Sequence, residues 1–338
     1  MTLAIAQLES TAWATPIDGV PIVADGRHNA FAAFTEWKGR YWLAHRRGSG
    51  HIARDGVLVV LVSTNLSTWQ EVAIFDTGGD DRDAQWVVFA GRLWLYFNSL
   101  DDGCFRIYAS CTDDGVAWRA PQQVYREGFI LWKPVERAGR LYAGAHHPGS
   151  DADRCAELVC SETGTDWKKI STIRAGRGES ETALLFAPDG RLTAFLRDQM
   201  HVGGAILEAD PPYTTWEERP AGVHLSGQAV YVLGGVTYVL SRVFACDPPL
   251  DAAAPRADLP DQVHQGTIVY TYRDRALVPY RLLGPLQGNR DASYATAIEG
   301  EGAMWVVFHR AHHEYRGPFR LKDAADLLLA RVPLQAAD

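Results

Sequence analysis

The 338-residue chain has only five cysteines, Cys104, Cys111, Cys155, Cys160 and Cys246, and none of them forms a C-x-x-C pair or stands at His/Cys metal spacing. That absence excludes a disulfide framework and a zinc-finger type of site, and leaves reduced, mostly buried thiols. Positive charge is also short: 33 Lys and Arg against 41 Asp and Glu give a net charge of −8. The broad basic footprint of a nucleic-acid-binding protein is therefore missing. No stretch reaches the roughly 18 apolar residues of a membrane span. The opening MTLAIAQLESTAWATP has no basic region ahead of an apolar run, so no secretory leader is expected and a cytoplasmic location is. No cofactor and no metal is expected.

Aromatic and apolar residues are plentiful: 11 Trp, 13 Tyr and a hydrophobic content of 47%. They recur in a pattern. A Gly followed by an aromatic-rich strand appears as Gly39-Arg40-Tyr41-Trp42, Gly91-Arg92-Leu93-Trp94, Gly139-Arg140-Leu141-Tyr142 and Gly190-Arg191-Leu192-Thr193, then more loosely from Gly234 and from Gly302. The spacing is roughly fifty residues. A period of that length built from short strands predicts a β-propeller in which each repeat is one four-stranded antiparallel blade. The expected fold is all-β, a single six-bladed domain over 1–338, with blades at roughly 27–75, 83–125, 130–174, 180–220, 226–282 and 291–333. Asp247–Asp261, rich in Pro, Ala and Asp, reads as a long surface loop. The apolar run Asp326–Val332 is expected to complete the last blade and close the ring.

Between the copies lie polar turns that end in Trp. Cys111-Thr-Asp113-Asp-Gly115-Val-Ala-Trp118 nearly matches S-x-D-x-G-x-T-W, Cys160-Ser-Glu162-Thr-Gly164-Thr-Asp-Trp167 is a weaker copy, and Ser63-Thr-Asn65-Leu-Ser67-Thr-Trp69 lacks the Gly. In such a turn a carboxylate accepts backbone N–H bonds, Gly takes a positive φ, and Trp fills the gap between strands. These turns resemble the Asp-box of sialidase-like propellers, which marks the outer rim and carries no catalytic acid.

Other segments resemble sialidases in the same order. Asp25-Gly26-Arg27-His28-Asn29-Ala30-Phe31 stands where sialidases have an Arg-Ile-Pro motif. Glu181 to Arg197 resembles the stretch with a buried Glu, a D-G-R-L turn and a binding Arg. Asp291-Ala-Ser293-Tyr294 resembles the segment of the Tyr nucleophile, Arg242 is the candidate third arginine, and Asp55 falls in the loop of the acid/base Asp. The pattern is most similar to bacterial sialidase-like proteins whose blade one reads R-H-N-A-F, followed by G-x-x-H and D-G. In that group His28, Asn29, His51, Arg82, Asp83 and Trp132 would line a pocket for a sugar other than sialic acid, acidic sugars included.

The resemblance implies a glycoside hydrolase that cleaves a terminal sugar, with a carbohydrate or glycoconjugate as its partner. Several Arg would hold a carboxylate on the anomeric carbon through charge-assisted hydrogen bonds. A carboxylate nucleophile would be repelled there, so Tyr294 attacks, activated by Glu181. Asp55, or His51 in its place, would protonate the leaving oxygen. Plainer roles compete: a strand cap for Arg27, core packing for Tyr294, and an Asp-Gly turn for Asp55. A glycosidase or lyase using Asp55, Asp83 and Glu181, and a non-catalytic glycan-binding propeller, are the alternative functions. His309, His312 and His313 read as a polar rim loop, with zinc ligation the lesser choice. Five-bladed furanosidases are the fold rival, and the six repeat units argue against them.

Overall fold

The computed structural model describes residues 2, 12–150, 153–260, 263–288, 291–312, 314–316 and 319–336. Among these residues, strands alternate with tight turns, and the helical content is confined to two short 3-10 segments, Ala12–Ala14 and Arg256–Asp258. No helix is long and apolar enough to cross a membrane.

Four separate four-stranded sheets supply blades II to V, opening with the strands Asp80–Phe89, Ile130–Arg137, Glu179–Phe186 and Ala229–Leu233. An eight-stranded sheet holds the rest. It divides into blade I, His28–Trp37, Arg40–Gly48, Val57–Ser63 and Gln70–Phe75, and blade VI, Ala292–Gly300, Ala303–Ala311, Ala325–Pro333 and Val20–Val23. One parallel pairing, His28 with Ala325, joins the two halves. The opening strands of the six blades touch one another in succession and return to the first, which closes a ring.

Blade faces are apolar on both sides because each is covered by a neighbour. The core is accordingly distributed as layers between blades. Trp42 and Val60 of blade I meet Leu93 and Leu95 of blade II. Tyr96 meets Leu131 and Val159 across the next gap, and Leu158 meets Leu184 and Leu207. Phe195 packs on Val239 and Ile268, Leu240 on Val306 and Leu328, and Val307 on Leu43 and Val59. Each fully buried side chain of this kind contributes roughly 1.5–3 kcal/mol.

The segment 326–332 does run as a strand of the last blade, but as its third. The outermost strand comes from Val20–Val23, which pairs antiparallel with the Ala325–Pro333 strand (Val20 with Leu329). Ring closure thus joins a strand from near the start of the chain to one from near its end.

The polar turns repeat at a 49-residue interval, although not in the register their residues suggest. Ser63, Thr112 and Ser161 each accept backbone N–H bonds two and three residues on. Asn65, Asp114 and Thr163 accept the next pair. Leu66, Gly115 and Gly164 take the positive φ, and Trp69, Trp118 and Trp167 follow. The anchoring carboxylate in blade II is therefore Asp114. Asp113 faces outward and pairs with Arg92 at 2.7 Å.

Candidate active site

The opening strands of the blades share one irregularity. Register slips occur between Ala30 and Ala33, Arg82 and Gln85, Trp132 and Val135, Glu179 and Thr182, and Ser293 and Thr296. Blade V has Gly227, at φ 57°, just ahead of its opening strand. Such bulges re-aim side chains that a regular strand would alternate into the blade faces. The strain is visible: Phe31, Asp83, Lys133 and Tyr294 hold φ values of 55°, 57°, 43° and 46°. Non-glycine residues in this region cost on the order of 1–3 kcal/mol each and gather at functional sites. Gly227 is needed for a further reason, because a Cβ there would stand 2.7 Å from the Tyr294 ring.

At the centre, the Tyr294 hydroxyl donates to Glu181 Oε1 at 2.7 Å. Arg197 Nη1 donates to both Glu181 oxygens, at 2.8 and 3.1 Å, and approaches the Tyr294 oxygen at 3.3 Å. Ser180 Oγ completes the set on Glu181 Oε2 at 2.7 Å. Burial works against a charge on Glu181, but Arg197, with His146, Tyr294 and Ser180, outweighs it and holds the carboxyl well below the usual range. Burial and the Glu181 charge push the Tyr294 phenol well above its ordinary value. The Tyr294 ring is wedged between Phe31, with centroids 4.9 Å apart, and Trp132, at 5.7 Å. Trp132 is itself fixed by its indole N–H to the Gln228 carbonyl at 2.8 Å.

Two more arginines face this cluster. Arg242 lies 5.3 Å from the Tyr294 ring centre, with its Nε on the Ala292 carbonyl at 3.0 Å and its Nη2 on Asp291. Arg256, from the long blade V loop, stacks over Phe244 at 5.4 Å. Burial and the charges of Arg197 and Arg242 pull its guanidinium down to about 10. Its Nη1 is buried and makes no hydrogen bond among the described residues. The loop is held over the blade IV turn by backbone bonds from Arg256 to Met200, Val202 to Ala254 and Gly203 to Ala252. Three guanidiniums against two engaged carboxylates, Glu181 and Asp291, leave a net positive field suited to an anion.

A cleft of ≈ 290 Å³ opens over the cluster, lined by Arg82, Asp83, Trp132, Glu181, Arg197 and Tyr294 among others. Arg82 lies over Phe31 at 4.5 Å and contacts Asp80 at 3.3 Å and Asp83 at 3.7 Å. Burial and the nearby Glu181 charge raise the Asp83 carboxyl above its ordinary value, against the opposing pull of Arg82.

Arg27 and Asp55 stand elsewhere. They pair with each other at 3.0 Å with side chains 48% and 49% exposed. The Ser49 backbone N–H and hydroxyl both bond Asp55 Oδ1 at 2.9 Å. These bonds, the backbone one first, lower the Asp55 carboxyl, whereas an acid catalyst needs the opposite shift. Asn29 is buried and directed at Asp25 Oδ1, 2.7 Å away, where it holds the turn before its strand. His28 is buried with Nδ1 3.3 Å from Arg46 Nη1, and His51 Nδ1 lies 2.8 Å from Asp291 Oδ2. His309 joins the same carboxylate oxygen at 3.2 Å, His312 pairs with Asp326 at 2.6 Å, and His313 lies outside the described residues.

Arg256, Phe31, Ser180 and the role of Asp291 were not singled out from the sequence. Asp291, three residues ahead of Tyr294, was within reach. Arg256 sits in a Pro/Ala/Asp-rich stretch that carries no local signal.

No family model and no curated protein matches the chain. Solved structures do. A protein of unknown function from Dyadobacter fermentans DSM 18053 is 15% identical with a TM-score of 0.66, covering 94% of this chain and 100% of that one. Trypanosoma rangeli sialidase, solved as its covalent intermediate with 2,3-difluorosialic acid, is 13% identical with a TM-score of 0.64. That match covers 93% of this chain and 58% of the sialidase. Phage phi92 endosialidase is 9% identical with a TM-score of 0.65, over 95% of this chain and 70% of that chain. At such identities the likeness defines the fold: a β-propeller of the sialidase type.

Proposed function

We propose that the protein is a retaining glycoside hydrolase acting on a terminal sugar that carries a carboxylate. The observation that carries this reading is the Tyr294–Glu181–Arg197 triplet, with its 2.7 and 2.8 Å contacts. Tyr294 Oη attacks the anomeric carbon as its proton passes to Glu181 Oε1. Glu181 is too weak a base while Arg197 Nη1 sits against both its oxygens. A substrate carboxylate that takes a share of Arg197, together with Arg242 and Arg256, loosens that hold and raises the basicity of Glu181 as the site fills. The bond to the leaving oxygen breaks as Asp83, the cleft carboxyl whose pKa burial raises, gives it a proton. Water then cleaves the tyrosyl–sugar bond, with Asp83 acting as base and Glu181 returning the proton to Tyr294.

Assay against a panel of 4-methylumbelliferyl glycosides tests this reading. Turnover is expected on acidic sugars, and Tyr294→Phe should lower kcat by on the order of 10³-fold or more. A 2,3-difluoro acidic sugar should leave a mass adduct on a Tyr294 peptide. A fully active Tyr294→Phe enzyme rejects the tyrosine mechanism. It would point instead to the Asp83 and Glu181 carboxyls, which share the cleft.

A further inference from the structure

Beside the cleft, at the seam between the first and last blades, three imidazoles converge on one carboxylate, and the chemistry above uses none of them. His28 opens blade I, and His51 lies in the loop between Arg40–Gly48 and Val57–Ser63. His309 belongs to the strand Ala303–Ala311, and Asp291 directly precedes Ala292–Gly300. Asp291 Oδ2 lies 2.8 Å from His51 Nδ1 and 3.2 Å from His309 Nε2. The His28 ring is edge-on to His51, with centroids 5.4 Å apart, and 6.3 Å from His309. One donor atom each from His28, His51 and Asp291 lies within 4.8 Å of the other two. The second Asp291 oxygen is taken by Arg242.

We propose that His28, His51 and Asp291 form a binding site for a divalent transition-metal ion of the zinc class. The ligands would be His51 Nδ1, Asp291 Oδ2 and the His28 nitrogen facing away from Arg46, with His309 against the same carboxylate. Zinc bonds of about 2.0–2.2 Å place tetrahedral donors roughly 3.3 Å apart, so a 2.8 Å pair inside a 4.8 Å cluster needs only small side-chain rotations. Two imidazoles and a carboxylate, with no thiolate, suit zinc and its first-row neighbours better than calcium or magnesium. Loading the outer His28 nitrogen moves the ring proton to Nδ1, which gives up the 3.3 Å approach of Arg46. Arg46 keeps Asp80 at 2.6 Å and the Ala53 carbonyl at 3.4 Å. A bound ion would tie the His51 loop and the first strand of blade I to the start of blade VI, at the seam where His28 also pairs with Ala325 of that blade's third strand.

The test uses the whole chain, stripped with EDTA and exchanged into chelator-free buffer. Zn²⁺ titration by calorimetry and elemental analysis after gel filtration should give one equivalent, and the melting temperature should rise with zinc concentration as binding to the native state requires. His51→Ala, on a part-exposed loop, should abolish that equivalent or weaken it by about 100-fold or more. Tyr294→Phe and the rim control His201→Ala should keep it. Cobalt(II) should give a visible ligand-field spectrum in the wild type that His51→Ala lacks. No equimolar uptake by the wild type, or uptake unchanged by His51→Ala, overturns the site. Because these readouts are independent of turnover, neither result bears on the glycosidase reading.

Discussion

Asp83 is the residue on which the proposed chemistry is most exposed to test. It is buried, sits at φ 57° on the blade II bulge, and accepts a 3.4 Å bond from Asn98. Its folded pKa is raised, burial first and the Glu181 charge second. The native chain therefore keeps a proton that the unfolded chain releases near pH 4, and this contribution is lost as pH rises through the folded value. Asn tolerates the left-handed backbone and removes the ionisation altogether. Asp83→Asn is thus expected to gain melting temperature over wild type at pH 7 and to gain less at pH 4. On activity it should separate substrates by leaving group. Alkyl glycosides, which need the proton, should lose about 10²–10⁴-fold in kcat/KM. A 4-nitrophenyl glycoside, whose phenolate leaves unaided, should lose far less. Equal losses on both would remove Asp83 from the acid role. Asp55, expected from its place in the loop, shows what sequence order alone leaves out. Loop position does not report that Ser49 and Arg27 hold that carboxyl ionised and half exposed.

At the scale of elements, the polar turn is the unit that joins one blade to the next. Gly115 holds φ 79°, and a Cβ there would lie 2.4 Å from the Trp42 ring, a side chain of blade I that is 1% exposed. Gly164 stands in the same relation to Trp94, at 2.7 Å. Gly39, in a strand turn, has φ 67° but open space around it. The three substitutions to Ala therefore share a backbone strain of about 1–2 kcal/mol. Gly115→Ala and Gly164→Ala should add roughly 1–3 kcal/mol of overpacking against a rigid indole. Urea unfolding should rank Gly39→Ala as the mildest, and equal midpoints for the three would reject the packing account. The repeat, its Gly and its Trp were legible because they are local and periodic. The anchoring side chain was not: Asp113 and Asp114 are adjacent, and only the hydrogen bonds distinguish the one that caps the turn from the one that pairs with Arg92. The bulges were equally hidden, since Phe31, Asp83 and Tyr294 are ordinary strand residues until a register slip turns them toward the mouth.

Across the whole molecule, closure and charge are set by residues far apart in the chain. Tyr294, Glu181 and Arg197 are grouped in the sequence by their resemblance, in order, to sialidase segments; Arg27 and Asp55, grouped the same way, pair with each other away from that cluster. Arg256 and the pairing of Val20–Val23 with the last blade depend on contacts that no periodicity encodes. The same ring burial that builds the site also seals imidazoles into the blades, and this sets the pH range of the fold. His45 and His146 are 1% and 3% exposed, and burial pushes each down to about 4. An unfolded chain binds their protons near pH 6.5, whereas the native chain refuses them until about pH 4, so stability must fall as pH drops through that window. Each group can remove on the order of 3 kcal/mol by pH 4. Below that, protonation of Glu181 adds to the loss, since its folded value is depressed. These imidazoles should therefore pull the melting temperature down from pH 6.5 to pH 4, against the opposing gain from the raised Asp81 and Asp83 carboxyls. His45→Gln, which keeps a donor for the Arg46 carbonyl now 3.1 Å from the ring nitrogen, should flatten part of that decline. A pH profile of melting temperature identical in His45→Gln and wild type would show that the acid sensitivity has another source.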